Sequence, residues 1–245
     1  MERFQKATDV RQVRMIMMGE GLDGTGKTHF GLTAPGDIAF INTDVGLEGV
    51  VERFAKDKNI FVSNYLETYK QIKSLPETDA RDVMEMYTPL WESIKSDFME
   101  AAETKAVKSV VVDSFTTAWE IARFARLGRI ALPPEASYKY GPVNDEFVKF
   151  VHEGYSVFGK NVILLHRLKP EYINDSFTGE YILDGCRKIP FEVQVKVRLK
   201  WDKEKGFGLT ILKCRQNGAL TGLELWGDDC SFNTLMSYVF EQEIQ

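Results

Sequence analysis

Apolar residues along this chain fall into short dense runs, separated by longer stretches whose apolar positions recur at helical spacing. The runs Val13–Met18, Ile38–Asn42, Ile60–Ser63, Ser109–Val112, Asn161–Leu165, Val193–Trp201 and Gly208–Lys213 read as strands. Helical patterns sit between most of them, at Thr28–Leu32, Leu47–Ala55, Arg81–Thr104, Ala118–Leu127 and Val143–Phe158. Strands alternating with helices predict an α/β fold, a mostly parallel sheet with helices on both faces. After residue 190 the pattern changes, and two strands flank the turn Lys203-Glu-Lys-Gly206. That predicts an antiparallel hairpin appended to the sheet. The polar, turn-rich stretch 169–188 predicts a protruding hairpin or mobile loop. No internal repeat or low-complexity linker divides the chain, so residues 1–245 are expected to form one domain, with a lead segment at 1–12.

Composition narrows the function. Hydrophobic residues make up 44% and charged residues 27%, ordinary for a globule of 245 residues. No apolar run approaches the ~18 residues of a membrane span, and the start, MERFQKATDVRQVR, lacks the apolar centre of a signal peptide. Cys186, Cys214 and Cys230 are widely spaced and without a CxxC pair, which suits a reduced cytoplasm with neither zinc nor disulfides. A net charge of −5 excludes a generic polycation, so any DNA binding must come from local basic loops.

The chemistry concentrates in MIMMGEGLDGTGKTHF, residues 15–30. Gly19 to Gly24 spells GxGxxG, which leaves Lys27 and Thr28 without a role. Gly21 to Thr28 spells GxxxxGK[ST], the P-loop, and uses them all. Backbone N–H groups of residues 23–28 would cradle phosphates, so Gly21, Asp23, Gly24, Thr25, Gly26, Lys27, Thr28 and the adjoining His29 form the expected nucleotide site. Lys27 would reach the β- and γ-phosphates of ATP, and the Thr28 hydroxyl would bind Mg²⁺.

Other residues add to this site. SVVVDSF (109–115) is an apolar strand ending in Asp113, the second expected Mg²⁺ ligand, or else a capping carboxylate. DIAFINTD (37–44) ends in Asp44, which could activate water for attack on the γ-phosphate or cap a helix; Glu48 is the reserve base. His166, Arg167 and Lys169 follow the strand at 161–165, where His166 is either a γ-phosphate sensor or a core histidine. Lys213 and Arg215 alternate on one late strand, two cations suited to a phosphoryl-transfer transition state or to a solvated edge.

Together these stretches resemble RecA-like P-loop ATPases, specifically the core-only phage proteins grouped with RecA-type single-strand annealing proteins. RFQKATDVRQVRMIMMGEGLDGTGKTHFGL looks like that group's opening, VVVDSFTTAW like its Walker B segment and VILLHRLKPEY like its sensor strand. The resemblance implies a RecA-like P-loop NTPase core that binds Mg²⁺ and ATP. It also implies a homo-oligomer, filament or ring, on single-stranded DNA in the cytoplasm (the host's, if phage-encoded), promoting annealing or recombination. LKCRQNGALTG resembles the K-x-R-x-G finger strand of such proteins, which implies that Lys213 and Arg215 act in trans on a neighbour's nucleotide. Phe4 and Ala7 spell FxxA, a subunit-linking motif of some recombinases. Relatives usually carry Glu where this chain has Asp44, which implies slow hydrolysis.

DNA is expected along loops 128–142 and 167–188, where Arg129, Lys139, Tyr140, Arg167, Lys169, Arg187 and Lys188 mix cations for phosphates with aromatics for bases. Two rivals stand beside this reading. EGLDGTGKT also resembles the opening of a thymidylate kinase, whose Arg-rich lid Arg123, Arg126 and Arg129 could supply. An ATP-gated assembly protein without DNA binding would share the P-loop and the oligomer.

Overall fold

The structure, a computed structural model, describes residues 14–75 and 79–241. The lead segment with Phe4 and Ala7, and the start of the first predicted strand at Val13, lie outside the described residues. The strands are β1 (Ile16–Gly21), β2 (Asp37–Asn42), β3 (Ile60–Asn64), β4 (Val107–Asp113), β5 (Asn161–Ile173), β6 (Ser176–Asp184), β7 (Val195–Asp202), β8 (Gly206–Cys214) and β9 (Glu224–Trp226). The helices are α1 (Lys27–Leu32), α2 (Val51–Phe54), α3 (Leu66–Lys73), α4 (Ala80–Glu103), α5 (Phe115–Leu127), α6 (Tyr140–Phe158), α7 (Ile189–Glu192) and α8 (Phe232–Phe240). One sheet holds all the strands in the order β3-β2-β4-β5-β1-β7-β8-β9, with β6 paired to β5. From β3 to β7 every pairing is parallel; β8, β9 and β6 run antiparallel. This is the α/β core that the alternating pattern predicts, with the expected hairpin after residue 190.

Both sheet faces are buried, which explains the apolar runs. Ile16, Met18, Val110, Val112, Val162 and Leu164 point to one side, under α4, α5 and α6, where Trp91, Phe98, Phe115, Phe147 and Phe150 fill the core. Met15, Met17, Phe40, Val111, Ile163 and Leu165 point to the other, under Phe30 and Leu32 of α1 and Phe232, Leu235 and Met236 of α8.

Local chemistry sets the boundaries. The Asp79 carboxylate accepts from the N–H groups of Arg81 and Asp82 to start α4, and the Ser114 hydroxyl accepts from Thr117 N–H to start α5. Gly128 ends α5 at φ +66°, where a Cβ would come within 2.1 Å of the Ala80 carbonyl oxygen. The single helix expected at Leu47–Ala55 is instead a 3₁₀ turn at Val45–Leu47 followed by the short α2. Gly49, at φ +75°, separates the two. The stretch 169–188 is largely a hairpin: β5 continues to Ile173 and turns through Asn174 (φ 49°) and Asp175 (φ 61°) into β6. Positive φ at both central residues gives the twist of a two-residue hairpin turn, and Asn and Asp tolerate it best after glycine.

Candidate functional site

β1 carries the chain to Gly21 at the carboxyl end of the sheet, and α1 starts at Lys27. Gly24 (φ 75°) and Gly26 (φ 82°) make the turn between them. The Lys27 ammonium donates to the carbonyls of Gly21 at 3.1 Å and Leu22 at 2.8 Å, and Thr25 Oγ1 donates to Leu22 O at 2.7 Å. Burial holds the Lys27 ammonium below its ordinary pKa, against the carboxylates of Asp113, Asp23 and Asp44, which pull it up.

A cavity of about 540 Å³ opens above this loop, lined by Asp23, Gly24, Gly26, Lys27, Thr28 and His29, and also by Asp44, Arg53, Asp113, Arg167 and Phe207. It lies in the size range of nucleotide and small-molecule sites. Although β5 separates β4 from β1, the Thr28 hydroxyl donates to Asp113 Oδ2 at 2.5 Å. Burial pushes the Asp113 carboxyl up to about 6; the Thr28 hydrogen bond lowers it and the Asp44 charge raises it again. A hydroxyl and an under-compensated buried carboxylate are hard oxygen donors, which fit Mg²⁺. Thr28 and Asp113 would hold that ion, directly or through water, and phosphate and water oxygens would complete its shell. When bound, it supplies charge neutralisation for the β- and γ-phosphates.

Asp44 lines the same cavity, and one of its oxygens caps the following turn, accepting from Val45 N–H at 2.8 Å. The base and capping readings thus coexist in one side chain. Glu48 is exposed and lies outside the residues lining the cavity, so the structure does not bring the reserve base to the site.

The sensor strand separates the two residues that its sequence joins. Alternation turns His166 to the face of Phe115, edge-on at 5.2 Å, while Arg167 lines the cavity. His166 is fully buried, and neither ring nitrogen has a hydrogen-bond partner among the described residues. Burial pushes it down to about 3, so the ring is neutral. The expectation of a γ-phosphate sensor at His166 is corrected: it sits in the core. Arg167 moves the other way, from the expected DNA set into the nucleotide cavity. Its guanidinium donates to Thr117 Oγ1 at 2.7 Å, and its buried Nε has no partner among the described residues.

This placement makes a pH prediction. A histidine held neutral when folded but titrating at about 6.5 when unfolded contributes stability that is present above pH 6.5. That stability is lost as pH falls toward 3, because the unfolded chain takes the proton first. By pH 4 the loss is on the order of 3 kcal/mol. His166→Leu should flatten the pH dependence of unfolding free energy between 6.5 and 4 by about that amount, and should keep nucleotide turnover within a few-fold of wild type. Denaturant titrations at several pH values check the first part. A folded variant with abolished turnover would restore the sensor role.

Of the remaining expected DNA residues, Arg129, Lys139 and Arg187 are exposed and carry no ion pair among the described residues. Lys169 pairs with Asp184 at 3.2 Å and Lys188 with Asp145 at 2.5 Å. The Tyr140 hydroxyl accepts from Arg123 and from Leu132 N–H. Two of the three lid arginines of the kinase reading are engaged elsewhere: Arg126 is gripped by Glu92 and Glu146, and Arg123 lies over the Trp119 and Tyr140 rings.

Lys213 and Arg215 lie at the opposite end of the sheet from the P-loop. β8 starts beside Gly26, where Phe207 packs, and runs away from it, so Lys213 pairs with Lys196 near the start of β7. Lys213 Nζ donates to the Pro190 and Val193 carbonyls at 2.6 and 3.0 Å, and Arg215 donates to the Phe191 carbonyl.

Three neighbours of the cavity escape sequence reasoning. Phe207 and Arg53 line it from β8 and α2. Glu20, one residue before the P-loop, is fully buried; Arg198 holds its Oε1 at 2.7 Å, and Lys196 lies 3.0 Å from Oε2, out of line for a hydrogen bond. The alternation Lys196, Arg198, Lys200 along β7 was the available signal, a row of cations on one strand face calling for a buried anion.

No curated protein matches the chain. A solved structure titled as a crystal structure of the RadB recombinase is similar over 86% of this chain and 86% of that chain, with 13% sequence identity and a TM-score of 0.47. The family model described as the AAA domain matches residues 11–206, which hold the P-loop, the Asp113 strand and β7. On that match the chain belongs to the AAA domain family, with its P-loop at the carboxyl end of a mostly parallel sheet.

Proposed function

We propose that the protein hydrolyses ATP with Mg²⁺, assembles head to tail, and acts on single-stranded DNA in annealing or recombination. The observation that carries the hydrolytic part is the convergence of Lys27, Thr28, Asp113, Asp44 and Arg167 on one cavity from four separate segments of the chain. Lys27 supplies a compact ammonium to the β- and γ-phosphates. The Asp44 oxygen not used in capping accepts a proton from the attacking water. Arg167, which lines the cavity, brings a guanidinium to the γ-phosphate, where charge develops.

The assembly part rests on Lys213 and Arg215. Along β8, six residues from Phe207 to Lys213 span about 20 Å at ~3.3 Å per residue, too far to serve the chain's own P-loop. Their hydrogen-bond partners are neutral carbonyls, and Glu192 is the carboxylate that offsets Lys213, so the two cations keep much of their charge for a neighbour's phosphates.

The DNA part draws on the β5–β6 hairpin, where exposed Tyr172, Phe177 and Tyr181 form a ladder with ring separations of 5.9 and 5.7 Å. Such rings stack on bases of any sequence. The hairpin also carries Glu171, Asp175 and Glu180, which repel phosphate and favour the second reading, an ATP-gated assembly protein without DNA. Salt dependence separates the two. With Arg129, Lys139 and Arg187 as the unpaired cations, log affinity for oligothymidine should fall with log salt at a slope of about −2, a shallow dependence for a DNA-binding protein. Fluorescence anisotropy in ATP and Mg²⁺ measures it, and absence of binding at low salt would leave the assembly reading. The thymidylate-kinase reading needs turnover stimulated by a nucleoside monophosphate rather than by DNA, an assay run on the same samples.

A further inference from the structure

The cavity has a second wall that phosphate chemistry does not use. Phe207 lies flat against the P-loop: a Cβ built on Gly26 would stand 2.7 Å from its Cδ1. The His29 ring stacks on Phe207 at 5.9 Å with an interplanar angle of 22°, and meets Phe54 edge-on at 5.0 Å. Arg53 lines the cavity beside them. Phe207 comes from the tip of the β7–β8 hairpin and lies one residue beyond the family match at 206.

We infer that Phe207 and His29 form the platform on which the nucleotide's base stacks, and that the platform accepts any base because stacking on a ring face, which every base has, holds it. The inference rests on the nucleotide reading above and specifies it. The cavity's carboxylates, Asp23, Asp44 and Asp113, come from the P-loop and the carboxyl ends of β2 and β4, where the phosphates belong. Among the described residues no Asn or Gln lines the cavity, so no side-chain amide there selects the adenine amino group. Arg53 offers donors alone, which suit acceptors present on every base. Burial and the Arg53 charge lower the pKa of the His29 ring, which favours its uncharged form. Stacking is worth about 1–3 kcal/mol per base and tolerates sequence because every base has a π-face.

The test compares ATP, GTP and CTP with inorganic tripolyphosphate, each with Mg²⁺, on the full chain. Wild type should bind the three nucleotides within about tenfold of one another. Phe207→Ala should weaken all three by roughly 5- to 150-fold and leave tripolyphosphate binding unchanged, while Phe207→Tyr should restore nucleotide binding. Equal weakening of tripolyphosphate would show that Phe207 only shapes the P-loop and would overturn the inference. So would nucleotide affinities unchanged in Phe207→Ala, or a preference of more than a hundredfold for one base. Lys27→Ala serves as the separate control: it should lose tripolyphosphate and nucleotides alike, and if it loses neither, the nucleotide reading itself fails.

Discussion

Lys27→Ala should reduce ATP hydrolysis by roughly 10²–10³-fold in a protein that remains folded, the loss typical of removing one preorganised charge from a transition state. Lys27 is the cation that the P-loop itself brings to the cavity. Its Nζ now rests on the carbonyls of Gly21 and Leu22, neutral acceptors that a water can serve after the substitution. The fold therefore has little to lose. The site loses much more, because Asp23, Asp44 and Asp113 would then face a polyanion with less opposing charge. Lys27→Arg should fail as a rescue: a planar guanidinium on a longer stem does not fit a slot shaped for a compact ammonium against the loop. Steady-state hydrolysis and nucleotide-induced shifts in melting temperature give the two readouts. Wild-type turnover in folded Lys27→Ala would remove the P-loop from the mechanism.

The legible part of this site was the part contiguous in sequence. The P-loop residues are neighbours in the chain, and their types state their roles. Asp113 could be placed because an apolar run ending in a carboxylate says which end of the sheet the charge occupies. Face was harder than end: His166 and Arg167 both follow the strand core, and only the packing of Phe115 against one side decides which of them enters the core. The basic loops were legible as composition but not as pairing, since Asp184 and Asp145 reach Lys169 and Lys188 through tertiary contacts. Phe207 was out of reach for a topological reason. It lies about 180 residues from Gly26 in sequence and arrives beside it because β8 returns antiparallel along β7. Most of the fold is legible because period and alternation survive in each run. The break between the 3₁₀ turn and α2 leaves no mark on the periodicity, because the φ of Gly49 is a backbone fact with no periodic trace.

Arg215→Ala should be nearly inactive in hydrolysis, down by about 10³–10⁵-fold as for other arginine fingers, while still binding ATP. The reason is geometric. Arg215 is exposed beyond the end of β8, on the far side of the sheet from its own P-loop, so any nucleotide it serves belongs to another copy. Wild-type turnover per subunit should then rise with protein concentration, since a lone subunit holds an incomplete site. The decisive experiment mixes Arg215→Ala with Lys27→Ala. Each alone is inactive for a different reason: one keeps an intact P-loop without a finger, the other an intact finger without a working P-loop. Where a Lys27→Ala subunit presents Arg215 to the nucleotide of an Arg215→Ala neighbour, one complete site is rebuilt. Activity should therefore return in part, peak at an intermediate mixing ratio and vanish on dilution. Lys213→Ala should behave like Arg215→Ala in the same mixtures, because its ammonium leaves the Pro190 and Val193 carbonyls from the same strand end. If co-assembled, folded mutants show no rescue at any ratio, the two cations have no role in trans. Distance already denies them one in cis, so they would then only tie β8 to α7.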